Sequence, residues 1–524
     1  MKKHLTSFVM LAAAVLASSV LVGCGDEVQE LESNVENRDE AVAETTADEN
    51  CTLFSTGDDG TRTWMNTSRN FFWSEGDQIY VNTEGEKFAK TSESRLATDS
   101  RTADFVLKGV RLTEPKCSVV YIGNGTTAAT ANKNDLKVKI EAEQTQTAWG
   151  NSDHIGASGD CGATEAEKVG NKYSFTLRHK AAYLIFQPYR PTGTENPDWK
   201  LMKIEIISNN GTTLAGEYPF GTGELNVSGA TNTANTVTLL CNGDGSTTGG
   251  FTLGTSASAA NSCFVVIQPD YHELTIRYTV KVTKKPDVLY FDANGINENG
   301  IFFIDKTIAA RPYSANGVTT IKHQLSLSLP HHQWDALNPF GSSTGTEHST
   351  IGYPTTDSEV ATCCAQNSCK DMPNANEMYW YVVNGDPHWD ATTSWSIDGG
   401  LTEYTKGMWV KKKQTILDEG LQFSSTVGKD NVDMRLVFKN HGVQPSHDVL
   451  PAAERSKYFF LPTLGFSLDG TLRFLGSTGG YYWSSSSRPG FDDLAYNMQV
   501  GGGGILITNS YRDRGYPVGA QWFK

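Results

Sequence analysis

The stretch ELTIRYTVKV, Glu273 to Val282, carries the pattern that decides the fold class of this chain. Apolar side chains alternate with polar ones along it, so that a strand of this sequence would bury one face and expose the other. The apolar positions are Leu274, Ile276, Tyr278 and Val280, and Thr275, Arg277 and Thr279 lie between them. This alternation predicts a half-buried strand in an antiparallel sheet.

The same two-residue period recurs from Cys51 to about Lys285. Runs of strand length, bounded by Gly, Asn or Pro, are KYSFTLRH (172–179), AAYLIFQP (181–188) and LMKIEII (201–207). After the last of them, Asn210-Gly211 is a strong signal for a hairpin turn. Regularly spaced strands with few helical stretches predict β-sandwiches.

The amino end has the layout of a secretory signal. A short basic head, Lys2 to His4, precedes an apolar run from Phe8 to Val22 that is too short for a comfortable membrane span. Leu21-Val22-Gly23-Cys24 resembles a lipobox, the bacterial lipoprotein signal in which the cysteine is acylated. We therefore predict a signal peptide over residues 1–23 and lipidation at Cys24, which would anchor the protein to a bilayer. The alternative is an ordinary signal peptide with a chance cysteine.

Residues 24–50 are predicted to be an acidic, disordered tether. From Asp26 to Asn50 there are ten Asp or Glu residues and one Arg, a local charge of 1 − 10 = −9 out of a total of −15. A segment this acidic and poor in aromatic residues cannot bury enough apolar surface to order itself. The rest of the chain has no basic stripe, which argues against nucleic acid as a partner.

Four segments between Thr61 and Val282 resemble, in matching order, the fimbrillin-like families of Bacteroidota surface proteins. They are TRTWMNTSRNFFWSEGDQIYVN (61–82), YSFTLRHKAAYLIF (173–186), IEIISNNGTTLAGEY (204–218) and CFVVIQPDYHELTIRYTV (263–280). The resemblance implies two tandem transthyretin-like β-sandwiches, which we place at residues 51–165 and 166–286. It also implies that an Arg-specific protease removes the first strand and that another subunit donates a strand in its place. Arg62 and Arg69 are the candidate processing positions, and the alternative is that each is a solvated surface arginine.

The sequence changes character after Lys284-Lys285-Pro286, where tryptophans become frequent. In CKDMPNANEMYWYVVNGDPHWD (369–390), Asn374 and Glu377 have the spacing of a capping box at a helix start. Met378, Tyr381 and Val382 then share one face of that helix. LPTLGFSLDGTLRF (461–474), GGYYWSSSSRPGFDDLAYNMQV (479–500) and ILITNSYRDRGYPVGAQWFK (505–524) follow.

This order resembles the paralogous surface domain of the C-type-lectin-like superfamily, first named from Fibrobacter proteins. The resemblance covers Cys369 to Phe523 best and implies an α+β C-type-lectin-like domain, which we place at residues 287–524. Met372-Pro373 stands where the family has Leu-Pro, and Ala520-Gln521 where it often has Arg-Cys, so that one usual disulfide partner is missing.

Tyr481-Tyr482-Trp483 has two interpretations, a sugar-stacking platform or an internal brace. Side chains alternate faces along a strand, so Tyr481 and Trp483 share one face and Tyr482 takes the other. We favour the brace and predict that Glu377, Trp380, Tyr481 and Trp483 are fold-signature residues of the core. The four serines that follow are expected to bond to the backbone of neighbouring loops.

A ligand surface, if present, is expected in the long loop NGDPHWDATTSWSIDGG (384–400), with His388, Trp389 and Trp395 as candidates. The alternative is that these tryptophans pin the loop onto the core. Calcium-dependent sugar binding is disfavoured, because this half of the chain has only Gln444-Pro445-Ser446 and no Trp-Asn-Asp sequence.

No metal, cofactor or catalytic activity is expected. His331-His332 with Asp335 could bind a metal, although a surface loop is the more common outcome for such a cluster. Cys363, Cys364 and Cys369 could close one short loop or bind a metal, but they have no matched second pair of ligands. The Cys-x4-Cys spacing of Cys364 and Cys369 matches a formylglycine-generating enzyme, although in that enzyme the pair lies close to the carboxyl end. No serine-hydrolase elbow, phosphate loop or HExxH motif occurs.

The sequence therefore predicts an exported lipoprotein that serves as a fimbrial subunit at the pilus tip. Its partners would be other fimbrial subunits, a host or bacterial surface glycan or protein, and the outer membrane through its lipid. A chain that ends in a bulky module has no free terminal strand to donate, which favours the tip. The alternative is a permanently anchored surface lipoprotein, and a formylglycine-generating type of oxidase is a remote third.

Overall fold

The computed structural model describes residues 50–57, 64–66, 71–97, 101–123, 125–195, 197–243, 245, 248–340 and 348–524. Two compact units divide the chain at residue 51, and the contacts described below lie within the second, Thr52–Lys524. The predicted signal peptide and tether, the lipidation candidate Cys24, and the processing candidates Arg62 and Arg69 lie outside the described residues.

Strands dominate the described residues, which confirms the prediction of a mainly β chain. Strands β1 to β14 are, in order, Cys51–Thr56, Trp64–Met65, Phe71–Phe72, Tyr80–Glu84, Lys87–Lys90, Glu93–Leu96, Ala103–Lys108, Lys116–Tyr121, Thr130–Asn132, Lys137–Ile140, Glu143–Gln146, Gly162–Val169, Lys172–Phe175 and Arg178–His179. Strands β15 to β26 are Ala182–Tyr189, Trp199–Ser208, Ala215–Pro219, Thr231–Ala234, Thr236–Cys241, Phe251–Thr252, Cys263–Ile267, Asp270–Val282, Val288–Asp292, Gly295–Ile296, Ile301–Tyr313 and Val318–Gln324.

The remaining elements belong to the carboxyl-terminal part. Strands β27 to β38 are His331–His332, His388–Asp390, Ser394–Ser396, Gly407–Lys411, His441–Val443, Tyr458–Pro462, Phe466–Leu468, Thr471–Arg473, Gly480–Ser487, Leu494–Gly501, Gly504–Tyr511 and Tyr516–Pro517. Helices α1 and α2 are Ala375–Asn384 and Lys413–Asp418. Neither helix is long and apolar enough to cross a membrane, and no other helix of the described residues is.

The first sandwich is built from one ten-stranded sheet. Its strand order is β6-β7-β1-β13-β12-β8-β4-β5-β9, with β14 paired to β12. Side chains from strands across the whole sheet meet in one core, so that the sheet folds over onto itself. The largest of these side chains are Phe54, Trp73, Phe105, Tyr121, Tyr173 and Phe175.

The second sandwich has two facing sheets. Their orders are β11-β19-β16-β22-β25 and β21-β15-β26. Phe186 on β15 meets Tyr278 on β22 edge to face, with ring centroids 6.3 Å apart. The alternation predicted for Glu273 to Val282 is confirmed, since Leu274, Ile276, Tyr278 and Val280 are fully buried in the core between the sheets.

The predicted domain boundaries do not match the strand pairing. The boundary at 165/166 cuts through β12, which pairs with β8 on one side and β13 on the other, so the first sandwich extends to His179. Before that, residues 137–146 form β10 and β11 and pair with strands of the second sandwich.

The boundary at 286/287 is also wrong. Strand β25 pairs with β22, and β26 pairs with β15, so residues 301–324 belong to the second sandwich. Strand β23, earlier in the chain, pairs instead with β29 of the carboxyl-terminal module. The chain therefore crosses between the two structures three times, which no local sequence pattern indicates.

The hairpin predicted at Asn210-Gly211 is not present. The chain does turn there, and Gly211 has a left-handed φ of +76°. However, β16 pairs with β19, β20 and β22, whereas β17 pairs with β10 and β18. The turn carries the chain from one sheet to another, so the strands on its two sides do not pair.

The carboxyl-terminal module comprises β23, β24, β27 to β38, α1 and α2. Its main sheet has the order β31-β37-β36-β35, and a second sheet has the order β28-β30-β32. Helix α1 packs on a core of its own, distinct from the core of the sandwiches. As predicted, Met378, Tyr381 and Val382 are the buried face of this helix.

Candidate functional site

Strand β1 has an interior position in the first sandwich. It lies between β7 and β13, and residues 53–56 pair in parallel with residues 172–175. Every residue from Thr52 to Thr56 is buried. Strand β1 is the first strand of the described chain, yet it forms hydrogen bonds along both of its edges and packs side chains into the core.

The side chain of Phe54 fills the core beneath β1. It has no exposed surface and stacks on Tyr173, with ring centroids 5.1 Å apart and planes inclined by 23°. Burial of an aromatic ring of this size contributes several kcal/mol to folding. Loss of β1 would therefore leave an apolar cavity beside Tyr173.

Polar side chains of β1 bond to the chain on its β7 side. The Thr52 hydroxyl donates to the carbonyl oxygen of Val110 at 2.8 Å and accepts from the backbone N–H of Leu112 at 3.0 Å. The Thr56 hydroxyl accepts from the backbone N–H of Ala103 at 2.9 Å. If β1 left, these backbone groups would lose their partners along with the ladder bonds, and a replacement strand would have to satisfy them.

The segment that follows β1 is held in a different way. Met65, which lies between Arg62 and Arg69 in the sequence, is fully buried, and its backbone N–H donates to the Ser152 hydroxyl at 2.9 Å. The same hydroxyl donates back to the Met65 carbonyl oxygen at 2.6 Å. Cleavage after Arg62 would leave this contact intact, whereas cleavage after Arg69 would release Met65 together with β1.

The aromatic run in β35 is an internal brace, as predicted. Tyr481 and Trp483 both contact Tyr516, with ring centroids 5.4 and 4.2 Å apart, whereas Tyr482 contacts Trp522 from the opposite face at 6.0 Å. Trp483 has no exposed surface, and its indole N–H donates to the carbonyl oxygen of His332 at 2.9 Å. Tyr482 and Trp483 are fully buried on opposite faces of the sheet and cannot stack on a sugar, and the partly exposed Tyr481 packs its ring on Tyr516.

The expectation that the four serines after this run bond to neighbouring backbone is met only in part. The Ser484 hydroxyl accepts from the Ser486 N–H within β35, and the Ser487 hydroxyl has no partner among the described residues. The Ser486 hydroxyl accepts from the N–H of Ala375 at 3.0 Å, and the Ser485 N–H donates to the carbonyl oxygen of Pro373 at 3.1 Å. The start of α1 is thereby fixed to β35.

Helix α1 begins with the predicted capping box. The Asn374 side chain accepts from the N–H of Glu377, and the Glu377 carboxylate accepts from the N–H of Asn374, both at 3.1 Å. Trp380 is buried, and its indole N–H donates to the carbonyl oxygen of Val427 at 2.7 Å. Both side chains therefore stabilise the module. Of the four residues predicted as fold-signature core, Trp380 and Trp483 are buried, whereas Glu377 and Tyr481 remain partly exposed.

The loop proposed as a ligand surface is largely pinned to the core. Trp395 is fully buried and stacks on Tyr404 at 4.9 Å, so the prediction that it forms part of a ligand surface is wrong. Its indole N–H donates to the carbonyl oxygen of Lys406 at 3.0 Å. His388 and Trp389 form part of β28 and remain partly exposed, so they stay candidates.

The Asp335 carboxylate of the histidine cluster bonds to the backbone of the cysteine segment. Asp335 accepts backbone N–H bonds from Gln366 at 2.8 Å, Asn367 at 2.7 Å and Cys369 at 3.2 Å, which uses its carboxylate to order a loop. Burial lowers the pKa of His331 to about 4. In the part of the chain that the structure describes, no three His, Cys, Asp or Glu side chains lie close enough together to hold a metal ion.

The three clustered cysteines should differ in reactivity. Cys363 and Cys364 are partly exposed thiols, whereas Cys369 is fully buried, and burial raises its pKa well above the ordinary value for a thiol. After mild reduction at pH 8, iodoacetamide should label the first two in the folded protein and Cys369 only after denaturation, because the thiolate is the nucleophile. Peptide mass spectrometry checks this, and labelling of Cys369 in the folded protein would contradict the described burial.

Sequence patterns missed the contact that joins the carboxyl-terminal module to the second sandwich. Trp199 at the start of β16 is fully buried, and its indole N–H donates to the carbonyl oxygen of Gly399 at 2.9 Å. A Cβ on Gly399 would lie 2.6 Å from the Trp199 ring, and the φ of Gly399 is +68°. The backbone N–H of Glu195 also donates to the carbonyl oxygen of Leu401 at 3.0 Å.

An ion-pair bridge supports the same contact. Lys285 lies 2.5 Å from the carboxylates of both Glu195 and Glu403, which raise its pKa above the usual range. The predicted boundary segment, Lys284-Lys285-Pro286, is therefore part of a packed junction rather than a free linker.

No protein-family model matches this chain, and no curated protein matches it. Among solved structures, it is similar to a "putative cell adhesion protein" from Bacteroides ovatus, at 12% identity and a TM-score of 0.31, over 52% of this chain and 92% of that one. It is also similar to a fimbrial assembly protein from Parabacteroides distasonis, at 10% identity and a TM-score of 0.26, over 52% of this chain and 90% of that one. A fimbrial protein from Bacteroides ovatus is similar at 10% identity and a TM-score of 0.22, over 88% of this chain and 99% of that one. Because these identities and TM-scores are low, the function proposed below rests on contacts within this chain.

Proposed function

We propose that this protein is a fimbrial subunit that accepts a β-strand from another subunit and carries an adhesive module at the pilus tip. The observation that supports the proposal best is the interior position of β1, which precedes both candidate processing sites in the sequence. Removal of an edge strand would cost a sheet little, but removal of β1 would open a gap between β7 and β13.

The chemistry of that gap suits a donated strand. An extended segment from another chain can supply ladder hydrogen bonds to both neighbours and place alternate side chains in the cavity left by Phe54. Its hydroxyl or backbone groups would also have to bond to the backbone at Ala103 and Leu112, which β1 satisfies through Thr56 and Thr52.

The place at the tip is supported by how the last strands of the second sandwich are connected. Strands β25 and β26 lie at the ends of their sheets and are the last strands of the second sandwich in the sequence. Earlier in the chain, β23 pairs with β29 of the carboxyl-terminal module. The next strand after β26 is β27, which pairs with β38 of the same module. Because the segment that holds β25 and β26 is fixed to that module at both ends, it is poorly placed to be donated to another subunit. The first sandwich can still accept a strand.

The alternative is a surface lipoprotein that keeps its acylated Cys24 and never polymerises. It would use the same carboxyl-terminal module to bind a glycan or protein. Both forms are proposed to be non-enzymatic and to reach the cell surface through the outer membrane.

Proteolysis and strand replacement distinguish these forms. Treatment of the full chain with an Arg-specific protease should give a new amino terminus after Arg62 or Arg69, and removal of β1 should lower the free energy of unfolding of the first sandwich by about 3 kcal/mol or more. A synthetic peptide of residues 51–57 should restore that stability, and the same peptide with Phe54→Asp is the matched control.

Two results would decide against the pilus proposal. One is a processed chain that is as stable as the unprocessed chain, since the sheet would then need no replacement strand. The other is a mature surface form whose amino terminus is acylated Cys24, which would support the anchored lipoprotein.

A further inference from the structure

A cleft of about 440 Å³ lies in the carboxyl-terminal module beside the start of α1. It is bounded by the segment before α1, by α2, and by residues 523–524. Its apolar lining consists of Met372, Pro373, Tyr381, Leu417 and Phe523. A cleft of this volume with a mainly apolar lining and a few polar groups lies in the range of about 300–1,000 Å³ that is typical of small-ligand sites.

Lysines form the rim of this cleft. Lys413 pairs with the Glu377 carboxylate at 3.1 Å, but Lys412 and Lys524 form no ion pair with any described residue. Two acids also line this cleft, Asp371 and the Glu377 that is paired with Lys413. Unpaired ammonium groups grouped at a cleft, on a chain with a net charge of −15, favour a ligand that carries negative charge.

A second cleft, of about 250 Å³, shares Lys412 and Lys524 with the first. Its lining includes the amide side chains of Asn294 and Gln521. Trp522 also lines it. The Trp522 side chain is 2% exposed, and its indole N–H has no hydrogen-bond acceptor among the described residues. The acid in this lining is Glu298, which lies 3.8 Å from Lys284.

From this arrangement we propose that the two clefts bind an oligosaccharide that carries a carboxylate, which deepens the adhesive role proposed above and rests on it. The carboxylate would lie between Lys412 and Lys524, the two residues that both clefts share. One sugar ring would occupy the larger, apolar-lined cleft, and its neighbour would bond through hydroxyls to the amides of Asn294 and Gln521.

A sugar fits better than an acidic peptide for two reasons. Two small adjoining clefts match successive rings, whereas an extended peptide needs a groove or a free strand edge along its length. The amide side chains of Asn294 and Gln521 in the smaller cleft also suit hydroxyl groups. An acidic peptide is therefore retained as a competing outcome of the experiment.

The experiment is calorimetric titration of the full chain at low ionic strength. The acidic probes are 3′-sialyllactose and trigalacturonate, the neutral controls are lactose and maltotriose, and hexaglutamate represents an acidic peptide. An acidic sugar should bind roughly ten-fold or more tightly than its neutral control, and the difference should shrink as salt is raised.

Three variants test the location. Lys412→Glu combined with Lys524→Glu should weaken binding of the acidic sugar roughly ten-fold or more through charge reversal. Leu417→Trp should also abolish binding, because Leu417 is partly exposed and a larger side chain would fill the cleft without disturbing the core. Lys87→Glu combined with Lys137→Glu, an equal charge change at exposed positions of β5 and β10, should have no effect, and thermal unfolding confirms that each variant is folded.

The proposal is overturned if neutral and acidic sugars bind equally, if only hexaglutamate binds, if no acidic sugar binds, or if the first two variants bind like the unaltered chain. None of these results bears on the strand-replacement experiment, which concerns the first sandwich. Attachment to cells that survives the double lysine substitution would exclude this cleft while leaving the adhesive role in place.

Discussion

Phe54→Ala is expected to lower the free energy of unfolding of the first sandwich by about 3–5 kcal/mol, because it leaves a cavity beside Tyr173 in a closely packed core. Phe54 is fully buried and stacks on the Tyr173 ring at 5.1 Å. The same substitution should have no effect once the chain has been cleaved after Arg62 or Arg69 and β1 has dissociated. Urea unfolding of the chain before and after cleavage measures both quantities.

Val169→Ala is the matched control for this experiment. Val169 belongs to β12 of the same sheet, but its side chain is 60% exposed, so that its truncation should change stability by less than about 0.5 kcal/mol. An effect of Phe54→Ala that persists after cleavage would mean that β1 remains bound. Strand replacement would then require displacement of β1 rather than its simple loss.

Trp199→Ala is expected to destabilise the second sandwich by about 3–5 kcal/mol and to release the loop of residues 398–403 from it. The substitution removes a fully buried ring and leaves the Gly399 carbonyl oxygen without its donor. Calorimetry should show the carboxyl-terminal module unfolding separately from the sandwiches. Amide hydrogen exchange of residues 398–403 should become faster, since local opening would then need less free energy.

Trp149→Ala provides a control in the same sandwich. Trp149 packs on Phe251 at 4.8 Å, and its indole N–H donates to the carbonyl oxygen of Thr252, so it also supports the sandwich. This variant should lower stability without changing hydrogen exchange in residues 398–403. If both tryptophan variants accelerate exchange equally, the loop depends on general stability and not on the Trp199 contact.

The junction at Trp199 matters for the proposed function because an adhesive module must remain oriented on the subunit that carries it. The module is joined to the second sandwich by the loop at Gly399 and by the Lys285 bridge. The chain also connects the two covalently, because β25 and β26 belong to the second sandwich and the segments before and after them belong to the module. These contacts would transmit force from a bound surface to the strand-accepting part of the subunit.

Local patterns in the sequence were sufficient for several features. The alternation in Glu273 to Val282 depends only on side chains two residues apart, and it correctly predicted which face of β22 is buried. The capping box at Asn374 and Glu377 and the alternating faces of Tyr481, Tyr482 and Trp483 are equally local. Each of these features is complete within one strand or one helical turn.

Which strands pair with each other could not be predicted from such local patterns. Residues 137–146, 162–169 and 301–324 lie outside the alternating runs described above, and the strands they form each pair with at least one strand that is not their neighbour in the sequence. The two predicted boundaries and the Asn210-Gly211 hairpin were wrong because each assumed that neighbours in sequence are neighbours in a sheet. Trp395 was misplaced for a related reason, since a loop rich in turn residues can still fold its largest ring into the core.

The sequence by itself determined that this chain is mainly β and which face of its alternating strands is buried, because both follow from the two-residue period. It also determined where α1 begins, through the capping box of Asn374 and Glu377. Only the tertiary structure decided that β1 lies inside a sheet, that Trp199 meets Gly399, and that Lys412 and Lys524 share a cleft. Those juxtapositions join residues that are tens to hundreds of positions apart. They result from packing that lowers the free energy of the whole chain and that no short segment encodes alone.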